Sequence, residues 1–253
     1  MNFAERVARL ERELGRLPSL LVALSGGVDS AALLGAASRA LRGRPLLAAT
    51  ASSPAVPQEE VEEAALIAGM LGVPHRVVET GEIDDPLYRA NRGDRCYHCR
   101  KAMYGGLGGL GFPHVADGLL ADDDVADRPG VVAATEHGVL HPLREAGLSK
   151  ADSRRLARAY GLPVHDKPAQ PCLASRIPTG LAVTRERLAR IHAAERAVRG
   201  LGFRELRVRC DDRHARVEIG RGEMDRARAM ALRIAGVVLA AGFDSCDPPR
   251  PLR

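Results

Sequence analysis

Short apolar runs alternate with helical patterns along the first two thirds of the chain. The apolar runs are LLVAL (20–24), PLLAAT (45–50), HRVVE (75–79) and HVADG (114–118). Helical patterns begin near residue 28 and cover about 57–71 between these runs. Strands that alternate with helices are typical of βαβ units, so the pattern predicts an α/β fold with a parallel sheet covered by helices on both faces.

Two further elements are predicted before residue 172. VLHPL (139–143) is predicted as another strand. Ser149 followed by Asp152 is typical of a helix start, and Gly161 and Pro163 indicate where that helix stops.

The pattern changes after the proline-rich stretch PAQPCLASRIPTG (168–180). Thr184 is predicted as the N-cap of a helix. The apolar stripe of that helix consists of Leu188, Ile191, Ala194 and Val198. We therefore predict two domains, one over 1–172 and a small α+β domain over 173–253.

Within the second domain, ELRVRCDDRHARVEIG (205–220) alternates with period two and predicts a hairpin that turns at the DDR triplet. A last helical pattern (222–240) leads into DPPRPLR (247–253), which we expect to be frayed.

Length and composition limit the class of protein. The chain has 253 residues, 45% apolar and 27% charged, which suits one medium domain with a small appendage. No stretch approaches the length of a membrane span, and the first 17 residues mix acids with arginines at helical spacing, unlike a signal peptide. We expect a cytoplasmic protein without a membrane partner.

Five cysteines are an odd number, which favours thiol or metal chemistry over a disulfide framework.

The net charge of +5 comes from the C-terminal part, because residues 173–253 hold 17 arginines against 10 acidic residues. Such an excess suits phosphate-bearing ligands or nucleic acid. Arginine outnumbers lysine 34 to 3 throughout the chain, so biased composition explains part of the excess. With 3% aromatics and no tryptophan, surfaces for base stacking are scarce, and we do not expect nucleic acid as the partner.

SGGVDS (25–30) is the most specific motif, since it stands between a buried apolar run and a helical pattern. Gly26 and Gly27 allow the backbone to close around an anion, and the helix N-terminus adds oriented N–H groups and a favourable dipole. The lysine of a Walker A loop is absent. The motif predicts a phosphate-binding turn in preference to a generic tight turn.

Cys172 lies in the proline-rich stretch, where a packing role is not expected. Arg176 and Lys167 are close in sequence and would favour its thiolate, and the flanking prolines would fix an open loop. Residue context alone is equally compatible with a cysteine that has no chemical role.

CYHC (96–99) has the spacing of half a metal site. Together, Cys96, Cys99 and Cys172 are three thiolates that suit zinc or an iron–sulfur cluster. We favour two partly buried thiols at the start of a helix, because no second pair completes the site.

Arg207 and Arg209 share one face of the predicted hairpin and suit a phosphate monoester, although a solvated strand face would have the same pattern. Glu195 and Glu218 are lesser candidates, which would alternatively pair with arginines. The candidates for Mg²⁺ are the carboxylates of Asp29, Asp122 and Asp123, although a run of acids in a loop is more often solvated.

These motifs, taken in order, make the chain resemble a known family. SGGVDS is the signature of the PP-loop ATP pyrophosphatases. ATASSP (49–54), NRGDRCYHC (91–99), RPG (128–130), KPAQPCLASRIPTG (167–180) and LRVRC (206–210) match the ATP-dependent sacrificial sulfur transferases that mature the nickel cofactor of lactate racemase. The resemblance covers about residues 10–220, and CLASR (172–176) is its discriminating part, since synthetases that share the phosphate loop lack it.

The resemblance implies a PP-loop fold, ATP with Mg²⁺, and a pyridinium-dicarboxylate mononucleotide as the substrate. Members cleave ATP to AMP and pyrophosphate, adenylate a carboxylate, and transfer sulfur from a cysteine of the protein, which becomes dehydroalanine. The same resemblance implies a homo-oligomer, and family analogy suggests a hexamer. It assigns catalysis to Cys172, Ser175 and Arg176; ATP binding to Ser25, Gly26, Gly27, Asp29, Ser30, Thr50 and Gly118; and substrate binding to Arg207, Arg209, Glu195 and Glu218.

Two departures from the family pattern leave alternatives open. Leu119 and Leu120 follow Gly118 where members carry Thr-Asn, and GFDSCDPPRPLR (242–253) replaces an expected closing strand, so that Arg250 is not assigned a role. One alternative is a catalytic sulfur carrier that uses a persulfide or an iron–sulfur cluster, for instance in tRNA thiolation. The other is a nucleotide-binding regulator without transfer chemistry.

Overall fold

The computed structural model describes residues 1–124 and 129–252 of the chain. Its contacts divide into two compact units. The N-terminal unit consists of Met1–Glu82 and Cys96–Gln170, and the C-terminal unit of Ile83–Arg95 and Pro171–Arg253. The sequence pattern gave no indication that 83–95 belongs with the C-terminal residues. The functional division into 1–172 and 173–253 stays a prediction.

The N-terminal unit has the predicted α/β order. Its elements are α1 (Phe3–Leu14), β1 (Leu20–Ala23), α2 (Val28–Ala40), β2 (Leu46–Ser52), α3 (Gln58–Met70), β3 (His75–Glu79), α5 (Arg95–Gly108, which begins in the C-terminal unit), β4 (Val115–Ala116), α6 (Pro129–Glu136), α7 (Pro142–Glu145) and α8 (Lys150–Ala159). A helix α4 (Pro86–Ala90) precedes α5 and belongs to the C-terminal unit. All four apolar runs therefore contain the predicted strands.

The four strands form one parallel sheet in the order β3-β2-β1-β4. The chain moves outward from β1 through β2 to β3, and then returns to the opposite side of β1 to form β4. The strand order therefore reverses between β1 and β4. In open α/β sheets, ligands bind in the crevice at the carboxyl ends of the strands where this reversal occurs.

Helices cover both faces of this sheet, as the sequence pattern predicts. Leu20 and Val22 of β1 pack in a core cluster with residues of α1, α2, α3 and α8. Leu21, which points to the opposite face, packs in a second cluster with residues of α5 and α6. A strand between two layers of helices must be apolar on both sides, and this explains the unbroken apolar run of β1.

The segment around residue 140 differs from the prediction. A helix begins at Pro142, and Leu140 forms an isolated bridge to Ala116 instead of a strand. Proline lacks the N–H that a ladder needs, and its fixed φ suits the first turn of a helix. The prediction for α8 is confirmed, because Ser149 and Asp152 form a reciprocal capping box.

The C-terminal unit combines helices with a three-stranded sheet in the order β5-β6-β7. Besides α4, its elements are α9 (Arg185–Gly200), β5 (Leu206–Asp211), β6 (His214–Ile219), α10 (Met224–Ala229), α11 (Ala231–Ala240) and β7 (Ser245–Pro251). Thr184 caps α9 by accepting a hydrogen bond from the backbone N–H of Arg187, as predicted. The hairpin of β5 and β6 is also confirmed.

The predicted frayed end is wrong, because Ser245–Pro251 forms the edge strand β7, which runs parallel to β6. The register shifts between Arg216 and Glu218, opposite the two prolines of DPPRPLR. A bulge on an edge strand tolerates residues that donate no ladder hydrogen bond. In the described part of the chain, no helix has the length and apolar character needed to cross a bilayer.

Candidate active site

SGGVDS forms the turn between β1 and α2 in the N-terminal unit. Gly26 has φ +74°, and a Cβ at this position would lie 2.8 Å from the carbonyl oxygen of Glu60. The Ser25 backbone N–H donates to Ser30 Oγ at 3.1 Å, and Ser30 Oγ donates to the Gly27 carbonyl at 3.1 Å. The two serines thus close the turn, while the first N–H groups of α2 have no partner within the helix and suit an anion.

Gly118 follows β4 and lies directly against this turn. A Cβ on Gly118 would be 2.7 Å from the backbone nitrogen of Ser30 and 3.0 Å from the carbonyl carbon of Asp29. Only glycine fits at such a close approach without displacement of the backbone. Gly118 and the turn therefore meet at the edge of the sheet where the strand order reverses.

Thr50 is buried, and its hydroxyl is already engaged. It donates to the Leu24 carbonyl at 2.7 Å and lies 2.8 Å from His75 Nε2. A hydroxyl has one proton, so His75 is the donor in the second contact. Burial lowers the pKa of His75, which favours the neutral ring, and in that ring the proton lies on Nε2. Thr50 thus ties β2 to its neighbours, and its predicted role in ATP binding stays a prediction.

Asp117, next to Gly118, is fixed by a buried network. Its carboxylate accepts hydrogen bonds from Tyr104 Oη and from His141 Nδ1, each at 2.7 Å, and from the Leu119 N–H at 3.1 Å. Burial alone would raise the pKa of Asp117, but the combined effects of His141, the Tyr104 hydrogen bond and the Arg100 charge outweigh it, and the pKa lies below its ordinary value. The network holds the segment that carries Gly118.

The departure at Leu119 and Leu120 has a packing explanation for one residue. Leu120 is 2% exposed and belongs to the main core cluster, so its side chain contributes to the core. Its N–H donates to Asp123 Oδ2 at 2.9 Å.

The three candidate magnesium ligands have different surroundings. Asp29 Oδ2 binds Lys150 Nζ at 2.6 Å, whereas Asp29 Oδ1 is buried without a hydrogen-bond partner among the described residues. The carboxylate of Asp122 accepts the Lys150 N–H at 3.0 Å. A buried carboxylate oxygen without a donor suits a hard cation such as Mg²⁺, so Asp29 fits this ion. The predicted roles of Asp122 and Asp123 as Mg²⁺ ligands stay predictions.

The CYHC cysteines lie in the first turns of α5. Cys96 is exposed, Cys99 is partly buried, and neither forms a disulfide. Within residues 1–124 and 129–252, no group of three or more His, Cys, Asp or Glu is arranged to hold a metal ion. Of the RPG motif, Arg128 lies outside the described residues, and Pro129 and Gly130 begin α6.

Cys172 stands immediately before a 3₁₀ turn, Leu173–Arg176, in the C-terminal unit. Its side chain is partly buried and its thiol is free. The Ser175 N–H donates to the Cys172 carbonyl at 3.0 Å, and Arg176 Nη1 donates to the carbonyls of Pro171 and Cys172 at 2.7 and 3.3 Å. The turn is therefore held through its main chain.

The guanidinium of Arg176 is 2% exposed and pairs with Glu195, which is 1% exposed. Arg176 Nε donates to Glu195 Oε1 at 2.8 Å, and the Val208 N–H donates to the same oxygen at 3.0 Å. Glu195 also accepts from Arg199 at 3.3 Å. The Glu195 carboxylate therefore links α9, β5 and the 3₁₀ turn that follows Cys172. Glu195 pairs with an arginine, which was the alternative interpretation of this residue.

Arg209 links the β5–β6 sheet to the same turn. Its Nη1 donates to the Ser175 carbonyl at 2.9 Å, and its Nε donates to Glu218 Oε2 at 3.0 Å. Glu218 is buried and also accepts from Arg250 of β7 at 3.2 Å. Both candidate glutamates are therefore paired with arginines.

The side chain of Arg207 has no hydrogen-bond or ion-pair partner among the described residues, although it is partly buried. Burial lowers its pKa and the neighbouring charges of Arg176 and Arg209 lower it further, which together outweigh the opposite effect of the Glu218 and Glu195 carboxylates. A partly desolvated guanidinium beside two like charges is a place where an anion is stabilised. Arg207, Arg209 and the Cys172 turn are thus neighbours in the C-terminal unit.

Sequence reasoning missed two lysine contacts at the SGGVDS turn. Lys167 Nζ, which we expected to act on Cys172, binds the Gly26 carbonyl at 3.2 Å and Glu60 Oε2 at 2.6 Å, and also contacts Glu63. Lys150 binds Asp29 as described above. The sequence feature that could have indicated these contacts is the scarcity of lysine, because the chain has only three lysines.

Comparison with known proteins places these features in context. A family model for asparagine synthase matches residues 12–90. An uncharacterized protein of Synechocystis sp. is 40% identical over 85% of this chain and 81% of its own length. The pyridinium-3,5-bisthiocarboxylic acid mononucleotide synthase of Lactiplantibacillus plantarum is 33% identical over 86% of this chain and 80% of its own length. An uncharacterized protein of Methanocaldococcus jannaschii is 25% identical over 87% of this chain and 86% of its own length.

Proposed function

Because the chain belongs to the family of the pyridinium-3,5-bisthiocarboxylic acid mononucleotide synthase, we propose that it is an ATP-dependent sulfur transferase in the synthesis of a nickel-pincer nucleotide cofactor. Its substrate is a pyridinium mononucleotide with a carboxylate, and its sulfur comes from Cys172. The observation that carries the proposal is the contact of Arg209 with Ser175, which joins β5, the strand of Arg207 and Arg209, to the turn that follows Cys172.

The first half-reaction is adenylation. A carboxylate oxygen of the substrate attacks the α-phosphorus of ATP, and pyrophosphate leaves with the electron pair of the broken P–O bond. The phosphate turn suits this step because its glycines and the N-terminus of α2 stabilise phosphate charge. Mg²⁺, when bound at Asp29, would supply further charge stabilisation for the polyphosphate.

The second half-reaction moves sulfur. The thiolate of Cys172 attacks the acyl carbon and AMP leaves, which gives a thioester between substrate and protein. Removal of the Cα proton of residue 172 then expels the thiocarboxylate by cleavage of the Cβ–S bond, and dehydroalanine remains. No external oxidant or reductant is needed. Arg207 and Arg209 hold the substrate phosphate during these steps.

Mass spectrometry tests this proposal. The wild-type chain is incubated with ATP, Mg²⁺ and the pyridinium-dicarboxylate mononucleotide, and the Cys172 peptide is expected to lose the mass of hydrogen sulfide in proportion to product. The peptides with the other four cysteines are internal controls. Cys172→Ser should still release pyrophosphate on substrate addition but form no thiocarboxylate. Repeated turnover with unchanged Cys172 would refute the sacrificial step.

The two alternatives give different results in the same experiment. A carrier that uses a cluster would contain iron and acid-labile sulfide after anaerobic purification, and Cys96→Ser would abolish its turnover. A regulator would bind ATP without pyrophosphate release. Substrate-dependent release of pyrophosphate together with a modified Cys172 would exclude both.

Arg207 provides a test of the substrate site. Because its side chain has no partner among the described residues, Arg207→Gln should leave stability unchanged and raise the Kd for the mononucleotide, measured by calorimetric titration, roughly tenfold or more. Arg233→Gln, on the exposed side of α11, is the matched control. An unchanged Kd in Arg207→Gln would contradict the assignment.

A further inference from the structure

Two of the three lysines in the chain contact the phosphate turn. The chain uses 34 arginines and only Lys101, Lys150 and Lys167 as lysines. Lys150 Nζ lies 2.6 Å from Asp29 Oδ2, and Lys167 Nζ lies 3.2 Å from the Gly26 carbonyl. They approach the turn from different segments, Lys150 from the start of α8 and Lys167 from the loop beyond it.

The charges around the turn explain why cations are needed there. Asp29 within SGGVDS and Glu60 and Glu63 beside it contribute three carboxylates, and the two lysines are their partners. Without the lysines, an incoming polyphosphate would meet three unneutralised negative charges at short range, which is strongly unfavourable in a partly buried site.

The two lysines differ in accessibility. The Lys150 side chain is 38% exposed, and its partner Asp29 keeps a second, buried oxygen without a donor. The Lys167 side chain is 16% exposed and is enclosed by Glu60 and Glu63. Lysine is a compact point charge on a flexible stem, which can change partners when a phosphate arrives, whereas a guanidinium prefers a fixed fork.

We propose that Lys150 and Lys167 are the cations of the polyphosphate site and replace the lysine that the motif lacks. Lys150 contacts the phosphate oxygens of ATP directly. Lys167 acts as a positioning residue, because it neutralises Glu60 and Glu63 and holds the Gly26 carbonyl. This inference rests on the proposed use of ATP and assigns residues outside the motif to it.

Calorimetric titration of the full chain with ATP, inorganic pyrophosphate and AMP tests the inference. Lys150→Gln and Lys167→Gln should each weaken ATP and pyrophosphate binding by roughly tenfold or more, and change AMP binding little, because AMP lacks the two outer phosphates. Lys101→Gln, the remaining lysine on the exposed side of α5, is the matched control and should bind all three ligands like the wild type. Equal losses for ATP and AMP would indicate a structural role and overturn the proposal.

A second set of variants separates the two roles. In a Glu60→Gln/Glu63→Gln background, Lys167→Gln should cost little further affinity, because the charges that it neutralises are gone. The loss from Lys150→Gln should persist in that background. A full loss from Lys167→Gln there would refute its assignment as a positioning residue. If the wild-type chain binds no ATP, the proposed function fails; if it binds ATP and both lysine variants bind equally well, this inference alone fails.

Discussion

Removal of the buried carboxylate in Glu195→Ala is expected to be one of the most destabilising single changes in the C-terminal unit. Glu195 and Arg176 are 1% and 2% exposed, so both charges have lost nearly all their water. Glu195 also accepts the Val208 N–H at 3.0 Å. The variant would leave one buried guanidinium and one buried N–H without their acceptor.

The magnitude follows from these two losses. An uncompensated buried partner of an ion pair costs about 3–5 kcal/mol, and an unsatisfied buried donor costs about 1–3 kcal/mol. The losses share one site and do not simply add, so we expect about 4 kcal/mol in the free energy of unfolding. Typical domains have about 5–15 kcal/mol in total, which leaves the variant unit close to its limit.

Alkylation of Cys210 provides an assay specific to this unit. The chain has no tryptophan, and Cys210 is fully buried in the core of the β5–β6 sheet. Burial also raises the pKa of its thiol, which makes the folded form unreactive. The urea concentration at which Cys210 becomes labelled, measured by mass spectrometry, therefore reports opening of the C-terminal unit.

Two comparisons decide the outcome. Asp244→Ala breaks the exposed Arg213–Asp244 pair, whose side chains are 53% and 59% exposed, and should shift the labelling midpoint far less than Glu195→Ala does. Arg176→Met combined with Glu195→Leu removes both charges and should be less destabilising than Glu195→Ala alone. A cost of Glu195→Ala no larger than that of Asp244→Ala would refute the reasoning.

Two further variants test the N-terminal unit. Gly118→Ala should weaken ATP binding by roughly tenfold or more while the fold is retained, because its Cβ would displace the backbone near Ser30. The control is Gly105→Ala, since no atom lies within 4 Å of the added Cβ. Equal ATP affinities of the two variants would contradict the assignment. His75 has a lowered pKa in the folded state, so the unfolded state binds its proton more readily and stability is lost as the pH falls below about 6.5, whereas it is unaffected above that value. His75→Gln should therefore show a smaller drop in urea midpoint between pH 7.5 and pH 5.5 than the wild type, and an equal drop would show that another group is responsible.

The sheet of the N-terminal unit was predictable because strands that are buried on both faces appear in the sequence as continuous apolar runs. β1 needs apolar residues at every position, since Leu20 and Leu21 pack against different helical layers. β7 has no such apolar run. It is an edge strand with two prolines and a register shift, and its residues gain their pairing from β6 and not from their own propensity.

Site residues were predictable where the backbone itself carries the chemistry, and less so where side chains meet across the fold. Gly26 and Gly118 stand where a side chain would collide with backbone, which local sequence can indicate. The contact of Arg176 with Glu195 joins residues 19 positions apart, and that of Lys150 with Asp29 joins residues 121 apart. Local patterns hold no information about such pairs, because the tertiary fold brings them together.

The contacts that hold the turn after Cys172 bear on whether the sulfur of this residue can be transferred. The bonds that fix the turn run to main-chain carbonyls, from Arg176 to Pro171 and Cys172 and from Arg209 to Ser175. No described residue donates to or accepts from the thiol of Cys172. Loss of the sulfur would therefore remove none of these bonds. Such main-chain support suits the proposed sacrificial transfer, because that reaction consumes the side chain of Cys172 and leaves these backbone acceptors in place.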